Sequence, residues 1–112
     1  MALCQRGDAT LAQWQAAAER KAARELHTRV NLWQQYLDDW QGLYATEVAQ
    51  RAMTALLLRQ FARLAATPEA QLLAALDARL RSRTTSADFI WAPELKPAFP
   101  ADDFWFLYRA PT

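Results

Sequence analysis

The chain has 112 residues, of which 53% are hydrophobic and 22% charged, with two glycines and a formal net charge of +1 at pH 7. A chain of this length suits one domain that buries roughly two thirds of its unfolded surface, and the composition excludes intrinsic disorder. The balanced charge excludes a global field that would draw the protein to nucleic acid or to an anionic membrane, and the scarcity of glycine turns favours helices over an all-β fold.

Cys4 is the only cysteine, so an internal disulfide and a multi-thiolate metal site are both excluded, and a reducing cytosol fits. The opening residues lack the charged-then-apolar pattern of a signal peptide, and no apolar run approaches the roughly 18 residues of a membrane span. The expectation is a soluble cytoplasmic protein with no membrane contact.

Asp8 precedes an alanine-rich stretch free of proline as far as Gly42. Asp8 is placed to cap the first free amides and Gly42 to end the helix in a left-handed conformation, which predicts a long first helix over about Ala9 to Gln41. Leu26, Val30, Trp33, Leu37 and Trp40 recur at steps of four and three, one seam facing a partner surface, with Leu32 and Tyr36 widening it. The N-terminal half offers only Leu11, Trp14 and alanines among charges, so it is expected to be exposed or to pack against something through small side chains, with a bend or break expected near Ala18 to Ala22. A continuous helix of about 33 residues would span roughly 50 Å, more than a much shorter third helix can cover. The overhang predicts a homodimer whose contact includes Trp14 or the Ala16 to Ala23 surface.

A second helix is predicted from about Tyr44 to Ala65. Val48, Ala52, Met53, Leu56, Leu57, Phe61 and Leu64 form its apolar face, and Glu47, Gln50, Arg51, Thr54, Arg59 and Arg63 its wet one. Thr67-Pro68-Glu69 reads as a helix start: a cap, a proline at the first helical position, and an acid near the positive end of the dipole. The third helix follows to about Arg83, with Leu72, Leu73, Leu76 and Leu80 as its stripe. Asp38 and Asp39 stand in the last turn of the first helix, against its dipole, and are expected to meet the next helix start or an arginine.

From Asp88 to Tyr108 the chain holds seven of its thirteen aromatics and three of its five prolines. Two readings of this tail differ in kind. It is either a strap over the second and third helices, its prolines fixing an extended path, or an anchor for another protein, since tryptophan and tyrosine favour interface centres. The strap is preferred, more firmly for Phe89 to Phe99 than for Phe104 to Tyr108.

No catalytic constellation stands out. His27 is the only histidine, without a glutamate three residues before it. Gly7 and Gly42 lie outside any phosphate-binding loop pattern, and the neighbours in Asp38-Asp39 and Asp102-Asp103 would diverge by about 100° on a helix. The second and third helices carry six arginines against three acids, a pattern that suits phosphate recognition. No aromatic surface interleaves with them, however, and the acidic tail offers a nearer partner.

The expected fold is all-α: a helical hairpin plus a third helix over residues 1–83, three-helix bundle-like, and an aromatic strap over residues 84–112 of the same single domain. The expected function is a non-enzymatic interaction or accessory protein, without cofactor or metal, that binds itself or another protein. Trp14, Trp33, Trp40, Trp91, Trp105 and Tyr108 are the candidate contacts. The alternative is a small nucleic-acid-binding regulator using Arg79, Arg81 and Arg83.

Overall fold

The computed structural model describes residues 2–112, with side chains from residue 10 onward. It is mostly helical. Helix α1 spans Ala2–Asp39, α2 Tyr44–Glu47, α3 Ala49–Gln60 and α4 Pro68–Arg83; 3-10 turns cover Ala62–Ala66, Pro93–Ala98 and Trp105–Tyr108, and two short strands, β1 (Thr84–Ser86) and β2 (Arg109–Pro111), pair with each other. No helix among the described residues is long and apolar enough to cross a membrane.

The long first helix is present and does not break near Ala18 to Ala22. It begins at Ala2, upstream of Asp8; the expectations for the Asp8 cap and the Cys4 thiol concern side chains outside the described ones. Its end differs from the expected one. The helix stops at Asp39 and Trp40, not glycine, takes the left-handed conformation at φ 51°, with Gly42 following at φ 107°. A left-handed non-glycine residue costs about 1–2 kcal/mol. Here Trp40 packs on Tyr36 at 5.5 Å, and the guanidiniums of Arg79 and Arg83 both donate to the Leu37 carbonyl. The two arginines satisfy an acceptor that the helix end leaves open.

A Cβ at Gly42 would meet only the Glu47 side chain, 3.6 Å away. Gly42→Ala should therefore lower stability through its backbone alone, by about 1–3 kcal/mol, read as a lower thermal midpoint without loss of helical signal. An unchanged midpoint would show that this turn relaxes freely.

The second helix divides. Val48 interrupts it after one turn, although the Ala52 amide still bonds the Val48 carbonyl at 3.0 Å, and Phe61 ends it at φ −123°, ψ 80°. The chain must reverse into α4 within a few residues, and the 3-10 turn does so while keeping Leu64 in the core. The third helix starts as its residues dictate: the Thr67 hydroxyl accepts from the Ala70 amide at 3.3 Å and Pro68 is the first helical residue.

The apolar seam of α1 is the spine of the core. Leu26, Val30, Trp33 and Leu37 are fully buried, together with Val48 and Ala52, with Leu73, Leu76 and Leu80 of α4, and with Phe104, Phe106 and Leu107 of the tail. Tyr36 joins this seam, whereas Leu32 stays 43% exposed. Trp33 is therefore corrected from candidate contact to core residue, because the seam that carries it is covered by α3 and α4.

The face assigned to the second helix is also corrected. Arg51 and Thr54, expected in water, are 8% and 0% exposed, while Leu56 is 40% exposed. Asp77 of α4 makes this inward turn possible. Its two carboxylate oxygens accept from the Arg51 Nε and Nη2 at 2.8 and 2.9 Å, and the guanidinium carbon lies 4.6 Å from the Phe106 ring centre. The Thr54 hydroxyl accepts from Arg51 Nη1 and donates to the Arg51 carbonyl. A buried arginine fully paired in this way is tolerated where an unpaired one would not be.

The tail closes on itself. β1 and β2 pair antiparallel, Thr84 opposite Pro111 and Ser86 opposite Arg109, and the Ala87 and Ile90 amides bond the Tyr108 and Leu107 carbonyls at 2.8 and 2.9 Å. Arg109 locks the closure by donating to the Thr84 hydroxyl and carbonyl and to the Arg81 carbonyl. The strap is real in outline, but its depth is the reverse of that expected. Phe104, Phe106 and Leu107 are buried to 1% or less, whereas Phe89, Ile90, Trp91 and Phe99 pack on the rim and Leu95 is 44% exposed. The late residues go deepest because both strands hold them, so they do not behave as a free terminus.

Candidate interaction surface

The molecule is elongated, 61 × 30 × 20 Å with a radius of gyration of 17.1 Å, against about 13 Å for a compact chain of this length. The excess comes from α1. Among the described side chains of α1 the first buried one is Ala22, and residues 10–18 are all exposed. Among the described residues the ion pair nearest this end is that of Glu19 with Arg63 of the 3-10 turn after α3, at 3.8 Å. The stretch stays helical because alanine, glutamine, glutamate and lysine are strong helix formers and no glycine or proline interrupts them. It forms an arm that projects from the body.

Leu11 and Trp14 stand on this arm at 64% and 73% exposure. Trp14 lies in a shallow depression with Gln13, Ala17, Ala18 and Lys21. A large indole left this far in water is an unfinished contact, since its burial would contribute about 1.5–3 kcal/mol.

The other candidate aromatics serve the fold. Trp40 covers the end of α1 under Arg83, whose guanidinium carbon is 5.2 Å from its ring centre. The Trp91 indole donates to the Ala45 carbonyl at 2.8 Å and meets Phe99 edge-on at 5.3 Å. Arg81 stacks over Trp105 at 3.8 Å, and the Tyr108 hydroxyl donates to the Phe99 carbonyl at 2.8 Å. Of the six aromatics singled out in the sequence, only Trp14 is left without the body around it.

The arginines singled out as a phosphate-binding set are engaged within the chain. Arg79 pairs with Asp38 at 2.9 Å and caps Leu37, Arg81 covers Trp105, and Arg83 holds the end of α1. Asp38 thus meets an arginine, as expected for an acid at a helix C-terminus, although the arginine comes from α4. Arg59 reaches Asp103 of the tail at 4.0 Å, an exposed pair of small energetic weight.

His27 Nδ1 is 3.0 Å from Glu69 and its Nε2 is 3.0 Å from the Asn31 amide, so it joins α1 to the start of α4. Glu69 is held below the usual carboxylate range, first by its own backbone amide at the helix start and then by His27. The Tyr44 phenol is pushed well above its ordinary value, chiefly by burial and next by Tyr36, and it donates to the Phe106 carbonyl at 2.6 Å. Among the described residues no three His, Cys, Asp or Glu side chains gather in a way that could hold a metal ion.

Sequence reasoning missed the Arg51–Asp77–Thr54 set. The only signal available was a lone Asp77 near the leucine stripe of α4, which does not by itself identify a partner. No known protein family, curated protein or solved structure matches the chain.

Proposed function

We propose that the protein is a non-enzymatic interaction or accessory protein of the cytoplasm that associates with itself through the projecting half of α1. The observation that carries this reading is Trp14 at 73% exposure on a helix that has already left its own body. An isolated helix of about 12 residues is marginal in water, so an arm of this kind gains stability from a second surface. Tryptophan is also among the residues most enriched at the energetic centres of interfaces.

In this reading the body is a three-helix arrangement, α1 against α3 and α4, with the tail as its cover, and it serves as a rigid base that presents the arm. The arginines of α3 and α4 hold that base together and are not the working surface.

Light scattering should give a mass above the monomer that rises with concentration in the micromolar range. Trp14→Glu should return the protein to monomer while leaving the stability of the dilute monomer within about 0.5 kcal/mol of the wild-type monomer's, as expected for an exposed site. A strict monomer at every accessible concentration would overturn the reading.

A further inference from the structure

The exposed side of α1 carries a second spacing of fours and threes, one residue round from the buried seam: Trp14, Ala18, Lys21, Glu25, Thr28 and Leu32. Such a spacing keeps residues in line along a helix that packs against another helix. All six are exposed except Glu25, which is partly covered. The line therefore runs from the arm onto the flank of the body without being used by the body's own core.

The line is symmetric about Ala23. Trp14 and Leu32 lie nine residues to either side, Ala18 and Thr28 five, and Lys21 and Glu25 two. In an antiparallel pair of identical helices crossing at Ala23, residues equally far from that point face each other. Building on the self-association read above, we infer that two copies of the chain dock their α1 helices antiparallel about a two-fold axis at the level of Ala23, which itself faces the body on the opposite side of the helix. Trp14 of each copy then lies over Leu32 of the other, and Lys21 of each faces Glu25 of the other.

Each large apolar side chain on the line, exposed by 73% and 43%, thereby meets the other. The small Ala18 and Thr28 share a level where the helices must approach closely. Leu32 also borders a groove walled by Gln35, Tyr36 and Gln50 and, beyond them, by Asp39 and Glu47; its Leu32 and Tyr36 edge is where the partner's indole would rest. The charges fix the direction. A parallel pair would set Lys21 against Lys21 and Glu25 against Glu25, whereas the antiparallel pair makes two attractive contacts. Among the described residues Lys21 makes no ion pair, and Glu25 has only Arg29 of its own helix at 3.5 Å. Lys21 can therefore turn to the partner, and Glu25 can accept it beside its part-exposed pair with Arg29.

Charge reversal and crosslinking test the register. In Lys21→Glu all four central charges of the dimer are negative, and in Glu25→Lys all four are positive, so each variant should self-associate about tenfold more weakly or worse. An equimolar mixture of the two variants should recover dimer of wild-type strength, because every central pair is again opposite in sign. In a Cys4→Ser background, a short bismaleimide should join Trp14→Cys chains to Leu32→Cys chains in the mixture. Within one chain these positions are about 27 Å apart at 1.5 Å per residue. If the chain dimerises but the mixture does not recover and Trp14→Cys chains link to one another instead, the register is wrong while self-association through the arm stands. A monomeric wild type overturns both.

Discussion

Phe106→Ala is expected to cost about 3–5 kcal/mol, and a chain ending at Thr84 to melt early or aggregate. Phe106 is fully buried, its ring lies against Phe104 and Trp105 at 6.0 and 5.7 Å, and it carries the Arg51 guanidinium on its face. Its carbonyl accepts the buried Tyr44 hydroxyl. Removing the ring leaves a cavity beside an arginine whose remaining partners cannot move to fill it. Truncation goes further, uncovering Leu80 and the α1 seam and leaving the Tyr44 hydroxyl without an acceptor. Urea unfolding followed by circular dichroism measures the point variant. Leu95→Ala, on the exposed crest of the same tail, should shift the midpoint by no more than about 0.5 kcal/mol. Trp91→Ala and Trp105→Ala should fall between the two, since both rings are only partly covered. Near-normal melting of the chain ending at Thr84 would show that the tail is cargo for another molecule and not part of the core.

The features that were legible in the sequence are those fixed by near neighbours. The seam from Leu26 to Leu37 was legible because its steps of four and three place those side chains together whatever surrounds them. Thr67 and Pro68 announced α4 because a cap and a fixed φ act within one turn. The arm was legible because large apolar residues are sparse before Leu26, so nothing in that half of α1 could anchor a body. The inward turn of Arg51 depends on Asp77, 26 residues later, and on a ring from the far end of the chain. No local rule distinguishes such an arginine from a solvated one. The β1–β2 ribbon is equally non-local. Three residues on each side show no alternation, and the pairing rests on Arg109 reaching back to Thr84. Trp33 and Trp14 read alike in the sequence, because both stand on one helix and only the placement of α3 and α4 decides which is covered.

Asp77→Ala should be the most damaging single change among the polar residues, costing about 3 kcal/mol or more. The pair it breaks is bidentate, and the Arg51 side chain is only 10% exposed, with the Phe106 ring on one side and Thr54 on another. Without the carboxylate the guanidinium must either stay charged and unpaired or pull out of the core, and pulling out uncovers Phe106. The converse change should be milder. Arg51→Met keeps most of the packing, and Asp77, 19% exposed, can turn toward water. The double variant Arg51→Met with Asp77→Leu should recover much of the loss, because well-packed apolar side chains often replace a buried ion pair at little or no cost. Urea midpoints of Arg51→Met, Asp77→Leu and the double variant, treated as a mutant cycle, give the coupling, with Asp77→Ala measured beside them. The expected order has the two Asp77 single variants as the least stable and the double variant closest to wild type. If Arg51→Met proved the more damaging, the guanidinium would owe its place to the Phe106 ring and not to the carboxylate, and the inward turn of α3 would follow from the tail, not from α4.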